Sequence, residues 1–280
     1  MKKLLMATDL SARSDRALQR AAALAHQLGA ELEVVHIVSK TVPPAIIDQY
    51  KDAAFETIKQ LLAAIPAAAS VKLEVEIVPG HGFAEILDRA AESKAEMIVL
   101  GITRHTENEL FRGTTAERII RVGDLPVLLV RDPVAQNYER VLVATDNSPS
   151  ARSALEYAVA IAPGAQFHLL HTINVPFKGL LGSDAQKEMR QLQEDRFRKA
   201  LEDEISAHAE TLGASALNFT IHLEEGEITT VVRKQIAALK PGLLALGMHG
   251  KPTLRHALIG SIAADMLSNP PVDVLVARAW

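Results

Sequence analysis

The sequence predicts an α/β protein built from two tandem units, each a parallel β-sheet with helices on both faces. The first observation is self-similarity, because MKKLLMATDLS at residues 1–11 returns as YERVLVATDNS at 138–148. The second is the alternation, within each copy, of short apolar runs with longer stretches of helical period, which is typical of a parallel sheet. The third is composition: with 48% hydrophobic and 23% charged residues the chain can bury a core, which excludes disordered and collagen-like proteins.

Four further matches follow the first one in the same order along the chain. They are LGAELEVVHIV with PGAQFHLLHTI, AEMIVLGITR with PGLLALGMHG, RGTTAERII with IGSIAADML, and LPVLLVR with VDVLVAR. Two copies are too few for a solenoid, so we interpret each copy as a domain. The predicted domains span residues 1–134 and 138–280 and are joined near 132–137.

The elements of the first copy follow from its apolar periods. The predicted strands are Leu4–Thr8, Leu32–Val38, Leu73–Val78, Met97–Leu100 and Val127–Val130. The predicted helices are Ser14–Leu28, Asp48–Ile65, Phe83–Ser93 and Thr115–Val122, and the second copy repeats the pattern. Right-handed crossovers of this length favour a doubly wound sheet.

Composition and charge exclude several classes of protein. The 280 residues contain no cysteine, which removes thiol catalysis and cysteine-based zinc sites. A formal net charge of −4 does not favour nucleic acid as a partner. The apolar run Leu4–Ala7 is far shorter than the roughly 7 to 15 residues that a signal peptide needs, and no run approaches the length of a membrane span. We therefore expect a cytoplasmic protein whose partners include neither nucleic acid nor membrane.

Ligands of open α/β sheets bind beyond the carboxyl ends of the strands. In the second copy, Ala144-Thr145-Asp146 leaves the first strand at that place, and Ala7-Thr8-Asp9 is its echo in the first copy. A carboxylate there can accept hydrogen bonds from ribose hydroxyls or from an adenine amine. It can equally cap the following helix, a task that Ser148-Pro149-Ser150 can share. Both roles stay open for Asp146.

A glycine pattern marks the same end of the second copy. Gly247-Met248-His249-Gly250 is followed by nine residues, 251–259, and then by Gly260-Ser261 at the predicted start of the last helix. Glycine lets the backbone approach a ligand closely, and exposed amides at a helix start attract phosphate. The combination predicts a phosphate-binding cradle.

These motifs resemble the universal stress protein family in its tandem form, over nearly the whole of both copies. The resemblance implies a five-stranded parallel sheet of order 3-2-1-4-5 in each domain, adenine-nucleotide binding with ATP as the ligand, with or without Mg²⁺, and a regulatory role in the stress response. In this sequence the implied nucleotide-binding residues are Ala144, Thr145, Asp146, Thr172, Gly247, His249, Gly250, Gly260, Ser261 and Ile262.

The first copy departs from the family pattern. Gly101 is present, but Arg104 stands where the second glycine belongs, and Gly113-Thr114 arrives one residue early. With Asp9, these are the weaker candidate residues of the first domain. We expect Arg104 to occlude the crevice or weaken binding there more readily than to contact phosphate.

Few other residues indicate chemistry. His36 and His171 end matching strands and are predicted to be packed or bonded to the backbone rather than to bind metal. No Walker motif and no catalytic residue is predicted, so little turnover of ATP is expected. A slow ATPase remains an alternative, as does a scaffold that binds another small ligand in the first crevice.

The last strands predict how the two domains associate. In the order 3-2-1-4-5 the fifth strand is an edge, yet Val127–Val130 and Val274–Ala277 lack the charges that protect an edge. We therefore expect these two strands to pair with each other in an intramolecular pseudo-dimer. Whether whole chains also form a homodimer stays open.

Overall fold

A computed structural model of the chain describes residues 1–102, 113–134, 136–173, 183–207, 218–248 and 259–279. The strands of the first half are β1 (Lys3–Thr8), β2 (Glu31–Ser39), β3 (Leu73–Gly80), β4 (Met97–Gly101) and β5 (Val127–Val130). Its helices are α1 (Ala12–Leu28), α2 (Pro44–Ala63), α3 (Phe83–Glu92) and α4 (Thr115–Val122), and a short 3-10 helix covers Pro66–Ser70. The predicted elements of this half are confirmed, with boundaries that shift by a few residues.

The second half repeats this order of elements. Its strands are β6 (Arg140–Ala144), β7 (Gln166–Ile173), β8 (Asn218–Glu225), β9 (Leu243–Gly247) and β10 (Asp273–Ala277). Its helices are α5 (Pro149–Ile161), α6 (Ser183–Ala207), α7 (Ile228–Leu239) and α8 (Ser261–Ser268).

All ten strands form one continuous sheet in the order β3-β2-β1-β4-β5-β10-β9-β6-β7-β8. Each half therefore has the strand order 3-2-1-4-5 with parallel neighbours, which confirms the predicted fold. The halves meet where β10 pairs with β5 in the antiparallel sense, with Leu275 opposite Leu128. The pairing of the two uncharged last strands is thus observed as expected.

Helices cover both faces of the sheet. On one face, α1, α2, α5 and α6 contribute buried side chains such as Leu18, Ile58, Leu155 and Leu201. On the other face, α3, α4, α7 and α8 contribute a second apolar cluster. In the sequence, the strands between these helices are continuous apolar runs because both of their faces are covered.

A buried polar cluster joins the halves beside the β5–β10 pair. Asp273, at the start of β10, is 1% exposed. Its Oδ1 accepts hydrogen bonds from the amides of Arg131 (2.8 Å) and Asp132 (3.1 Å), and its Oδ2 accepts one from the hydroxyl of Tyr138 (2.7 Å). The guanidinium of Arg20 lies 3.5 Å from the same carboxylate and 4.2 Å from the centre of the Tyr138 ring. The cluster thus connects α1, the linker and β10.

Candidate functional site

The chain leaves β6 through a turn that its own side chains hold. The amide of Asn147, whose φ of 58° lies in the left-handed region, donates to Oγ1 of Thr145 at 3.2 Å. The amide of Ser148 donates to Oδ1 of Asp146 at 3.0 Å. Asp146 is therefore fixed at the carboxyl end of the sheet, as the sequence predicted for this strand.

The helix after this turn is capped by Ser148. Its hydroxyl oxygen accepts a hydrogen bond from the amide of Ala151 at 3.2 Å, and Pro149 occupies the first turn of α5. The capping role that the sequence left open between Asp146 and its neighbours thus belongs to Ser148, whereas Asp146 closes the turn that precedes the helix.

Gly247 ends β9 where the strand meets the start of α5. A β-carbon added at this position would lie 2.7 Å from the amide nitrogen of Ala151 and 2.8 Å from the carbonyl carbon of Ser150. Gly101 has the same relation to α1, with the carbonyl oxygen of Arg13 at 2.8 Å. The close approach at these two glycines is therefore between strand and helix, a packing role that the sequence did not distinguish from ligand binding.

The opposite wall of the crevice is the start of α8. The amide of Gly260 donates to the carbonyl of Met248 at 2.9 Å, and Ser261 is the first helical residue. Gly260 is the N-cap and has no side chain with which to cap the helix. The first amides of a helix lack intrahelical partners and, together with the helix dipole, favour an anion.

His171 forms part of the crevice wall, which the sequence did not predict. Its Nδ1 lies 2.8 Å from the carbonyl oxygen of Thr145. Because a carbonyl only accepts, Nδ1 carries the proton of this hydrogen bond. The ring also stacks on Phe197 of α6, with centroids 3.8 Å apart. His36 makes the same contact to Thr8 in the first half, so the prediction of backbone-bonded histidines is confirmed.

These elements enclose a crevice of about 440 Å³ in the second half. Of the ten predicted site residues, the structure brings eight together in its lining: Ala144, Thr145, Asp146, Thr172, Gly247, Gly260, Ser261 and Ile262. The other two, His249 and Gly250, lie outside the described residues. The lining residues that the sequence reasoning missed are Ala151, His171, Ile228 and Leu246. Only His171 had a visible signal, its echo at His36.

The first half has a matching but smaller crevice of about 220 Å³. Asp9 and Gly101 line it, Gly113 and Thr114 lead into the adjoining helix α4, and Arg104 lies outside the described residues. Oδ1 of Asp9 accepts hydrogen bonds from the amide of Ser11 at 3.0 Å and from the hydroxyl of Ser14. Burial acts to raise the pKa of Asp9, but these hydrogen bonds more than offset it, so that the pKa lies below its ordinary value. This crevice therefore holds a carboxylate at neutral pH.

Two kinds of feature are not found in the part of the chain that the structure describes. It contains no group of three or more His, Cys, Asp or Glu side chains that could hold a metal ion. It also contains no helix that is both long and apolar enough to cross a membrane.

Comparison with known proteins agrees with this duplicated architecture. The sequence profile described as "Universal stress protein family" matches residues 1–131 and again 137–278. The chain belongs to the universal stress protein family. Each half of this universal stress protein thus matches one copy of the family unit.

Its relatives include both single and tandem forms. Universal stress protein MJ0531 of Methanocaldococcus jannaschii is 31% identical over 144 residues, which cover 47% of this chain and 83% of the relative. Universal stress protein Slr1230 of Synechocystis is 24% identical over 308 residues, which cover 99% of this chain and 100% of the relative. The crystal structure of a universal stress protein from Archaeoglobus fulgidus matches with a TM-score of 0.72 at 20% identity, over 99% of this chain and 96% of that one. The last likeness supports the fold of this universal stress protein.

Proposed function

We propose that this universal stress protein binds one adenine nucleotide, ATP, in the crevice of its second half and acts in regulation with little turnover. The proposal rests on one observation: two chemically different groups of the protein, a carboxylate and a helix start, line the same crevice. Asp146 offers a carboxylate at the end of β6, and the uncapped start of α8 at Gly260 offers amides across the same space.

The carboxylate and the helix-start amides match the two ends of a nucleotide, the nucleoside and the phosphates. A carboxylate accepts hydrogen bonds from ribose hydroxyls or an adenine amine, whereas helix-start amides favour phosphate oxygens. The apolar residues Leu246, Ile228 and Ile262 also line this crevice, as is usual in sites for small organic ligands. The crevice volume of about 440 Å³ falls within the range of such sites.

Calorimetric titration of the full chain with ATP tests this proposal. We expect one site per chain in the unmodified protein. Asp146→Ala should weaken binding about tenfold, or about 1.4 kcal/mol, since a hydrogen bond to a charged group contributes about 1.5 to 3 kcal/mol. Asp9→Ala is the matched control in the first half and should leave ATP binding unchanged.

Three results would contradict the assignment. They are two equal sites in the unmodified chain, full affinity after Asp146→Ala, or a loss that follows Asp9→Ala instead. Each would place the nucleotide somewhere other than the second crevice alone.

A further inference from the structure

The helix that borders each crevice begins differently in the two halves. In the first half, α4 starts with a reciprocal capping box. Oγ1 of Thr114 accepts a hydrogen bond from the amide of Glu117 at 3.2 Å, and Oε2 of Glu117 accepts one from the amide of Thr114 at 3.0 Å. The chain thereby satisfies two amides of this helix start, those of Thr114 and Glu117, with its own side chains.

The carboxylate of Glu117 also occupies the space directly in front of the helix. Gly113 has a φ of 76°, and a β-carbon added there would lie 2.7 Å from Oε2 of Glu117. The carboxylate thus lies against the Gly113–Thr114 backbone, where a phosphate would have to approach. It places a negative charge at the positive end of the helix dipole, as a bound anion would.

The second half has no such carboxylate at the matching position. The repeat aligns Gly113-Thr114 with Gly260-Ser261 and Glu117 with Ala264. Burial supports this alignment, because Ala116 and Ala263, which it also matches, are both buried. A methyl group therefore replaces the carboxylate, and the N-cap Gly260 provides no side-chain cap.

We propose that Glu117 is the residue that determines which crevice accepts phosphate, because it fills the phosphate position of the first half with the chain's own carboxylate. A phosphorylated ligand would have to displace this carboxylate from its hydrogen bond with the Thr114 amide and would meet a like charge. The start of α8, where Gly260 itself is the N-cap, carries no carboxylate in its first turn among the described residues. This inference deepens the proposed function and rests on it.

Two reciprocal substitutions in the full chain test the role of Glu117, with ATP as the probe in calorimetric titration. Glu117→Ala gives α4 the residue that α8 carries. Because Arg104 is also expected to hinder binding in the first crevice, Glu117→Ala is combined with Arg104→Gly, and we expect this double variant to have two ATP sites per chain and Arg104→Gly alone to have one. Ala264→Glu places a carboxylate at the position of α8 that the repeat matches with Glu117, and we expect ATP binding to weaken at least tenfold. Glu56→Ala, an exposed position on α2, is the control and should change neither number.

Circular dichroism establishes that each variant is folded, and either variant alone can overturn the proposal. A folded Glu117→Ala/Arg104→Gly protein that still binds one ATP, or a folded Ala264→Glu protein that binds ATP as tightly as the unmodified chain, would do so. If the unmodified chain binds no ATP, the proposed function is wrong. In that case a site gained by Glu117→Ala/Arg104→Gly but not by Arg104→Gly alone would still support the role of Glu117, and no gain would refute it.

Discussion

The imidazole rings of His168 on β7 and His222 on β8 form a hydrogen-bonded pair, with Nδ1 of His168 3.0 Å from Nε2 of His222. One nitrogen must donate and the other must accept, so the contact cannot persist when both rings are fully protonated. Burial lowers the pKa of His168, and the nearby His222 and Arg140 lower it further. Burial also lowers the pKa of His222, and the charge of Glu224 opposes this in part.

The histidine pair predicts that the protein loses stability in mild acid. A histidine whose pKa is lower in the folded chain binds fewer protons there than in the unfolded chain. Its stabilising contribution is therefore complete above the unfolded pKa of about 6.5 and is lost as the pH falls below it. The free energy of unfolding, measured by urea titration at a series of pH values, should decrease from pH 7 to pH 5.

Substitution of one histidine should reduce this pH dependence. His222→Gln removes one of the two titrating rings, so its free energy of unfolding should change less between pH 7 and pH 5. His81→Gln, at an exposed loop position, is the control and should keep the slope of the unmodified chain. An unchanged slope in His222→Gln would show that the acid sensitivity arises elsewhere.

The cluster around Asp273 predicts a large loss of stability on truncation. Asp273→Ala leaves two amides, the Tyr138 hydroxyl and the Arg20 guanidinium without their acceptor in a buried place. Breaking a buried charge pair costs about 3 to 5 kcal/mol, and urea unfolding should show a loss of this size. Asp132→Ala removes a half-exposed carboxylate of the same linker and should cost less than about 1 kcal/mol. Similar values for the two variants would contradict the assigned role of Asp273.

The close strand–helix contacts predict that a single methyl group is harmful at two glycines. Gly247→Ala would place its β-carbon 2.7 Å from backbone of α5, and Gly101→Ala would place its own 2.8 Å from backbone of α1. Overpacking of this kind costs about 1 to 3 kcal/mol, so both variants should have lower melting temperatures. Only Gly247→Ala should also weaken ATP binding, because its crevice is the proposed nucleotide site. Equal ATP affinity in the two variants would show that Gly247 does not contribute to the nucleotide site.

Hydrolysis of ATP by the purified chain is expected to be slower than about one turnover per second, below the usual enzyme range. In the described part of the crevice, Asp146 closes the β6 turn through Oδ1 and is proposed to bind ribose or adenine, and His171 donates to the Thr145 carbonyl, so neither group is assigned to the activation of water. Binding phosphate does not by itself favour a transition state over the ground state. Phosphate release measured under steady-state conditions checks this, and a faster rate would favour the ATPase alternative.

Periodicity and duplication were sufficient to predict most of the fold. The apolar runs of buried parallel strands are continuous, and the absence of charge on Val127–Val130 and on the matching residues of β10 predicted that these strands pair. The structure confirms the pairing and shows that it is antiparallel. The Asp273 cluster was not predictable, because its contacts join residues more than 130 positions apart and nothing local marks them.

The candidate site was predicted in part. The residues at strand ends converge because topology brings them together, but a glycine pattern does not reveal whether the glycine admits a ligand or a helix, as Gly247 shows. The capping box of Thr114 and Glu117 follows the sequence pattern Thr-x-x-Glu. It was not predicted, because Gly113-Thr114 was interpreted only as part of a glycine pattern.

The antiparallel β5–β10 join also determines how the two crevices can influence each other. Since every strand of one half runs opposite to those of the other, the carboxyl ends of the two halves face away from each other, and ligands in the two crevices cannot touch. Any cooperativity between them must be transmitted through the contacts between the halves, which include that strand pair, the Asp273 cluster beside it, and the hydrogen bonds from Arg278 to the Arg121 carbonyl and from Gln27 to the Ile161 carbonyl. If the contact between the halves is rigid, ligands bind to the two crevices independently. If it shifts when one ligand binds, the affinity of the other crevice changes, and the protein responds to the two ligands together.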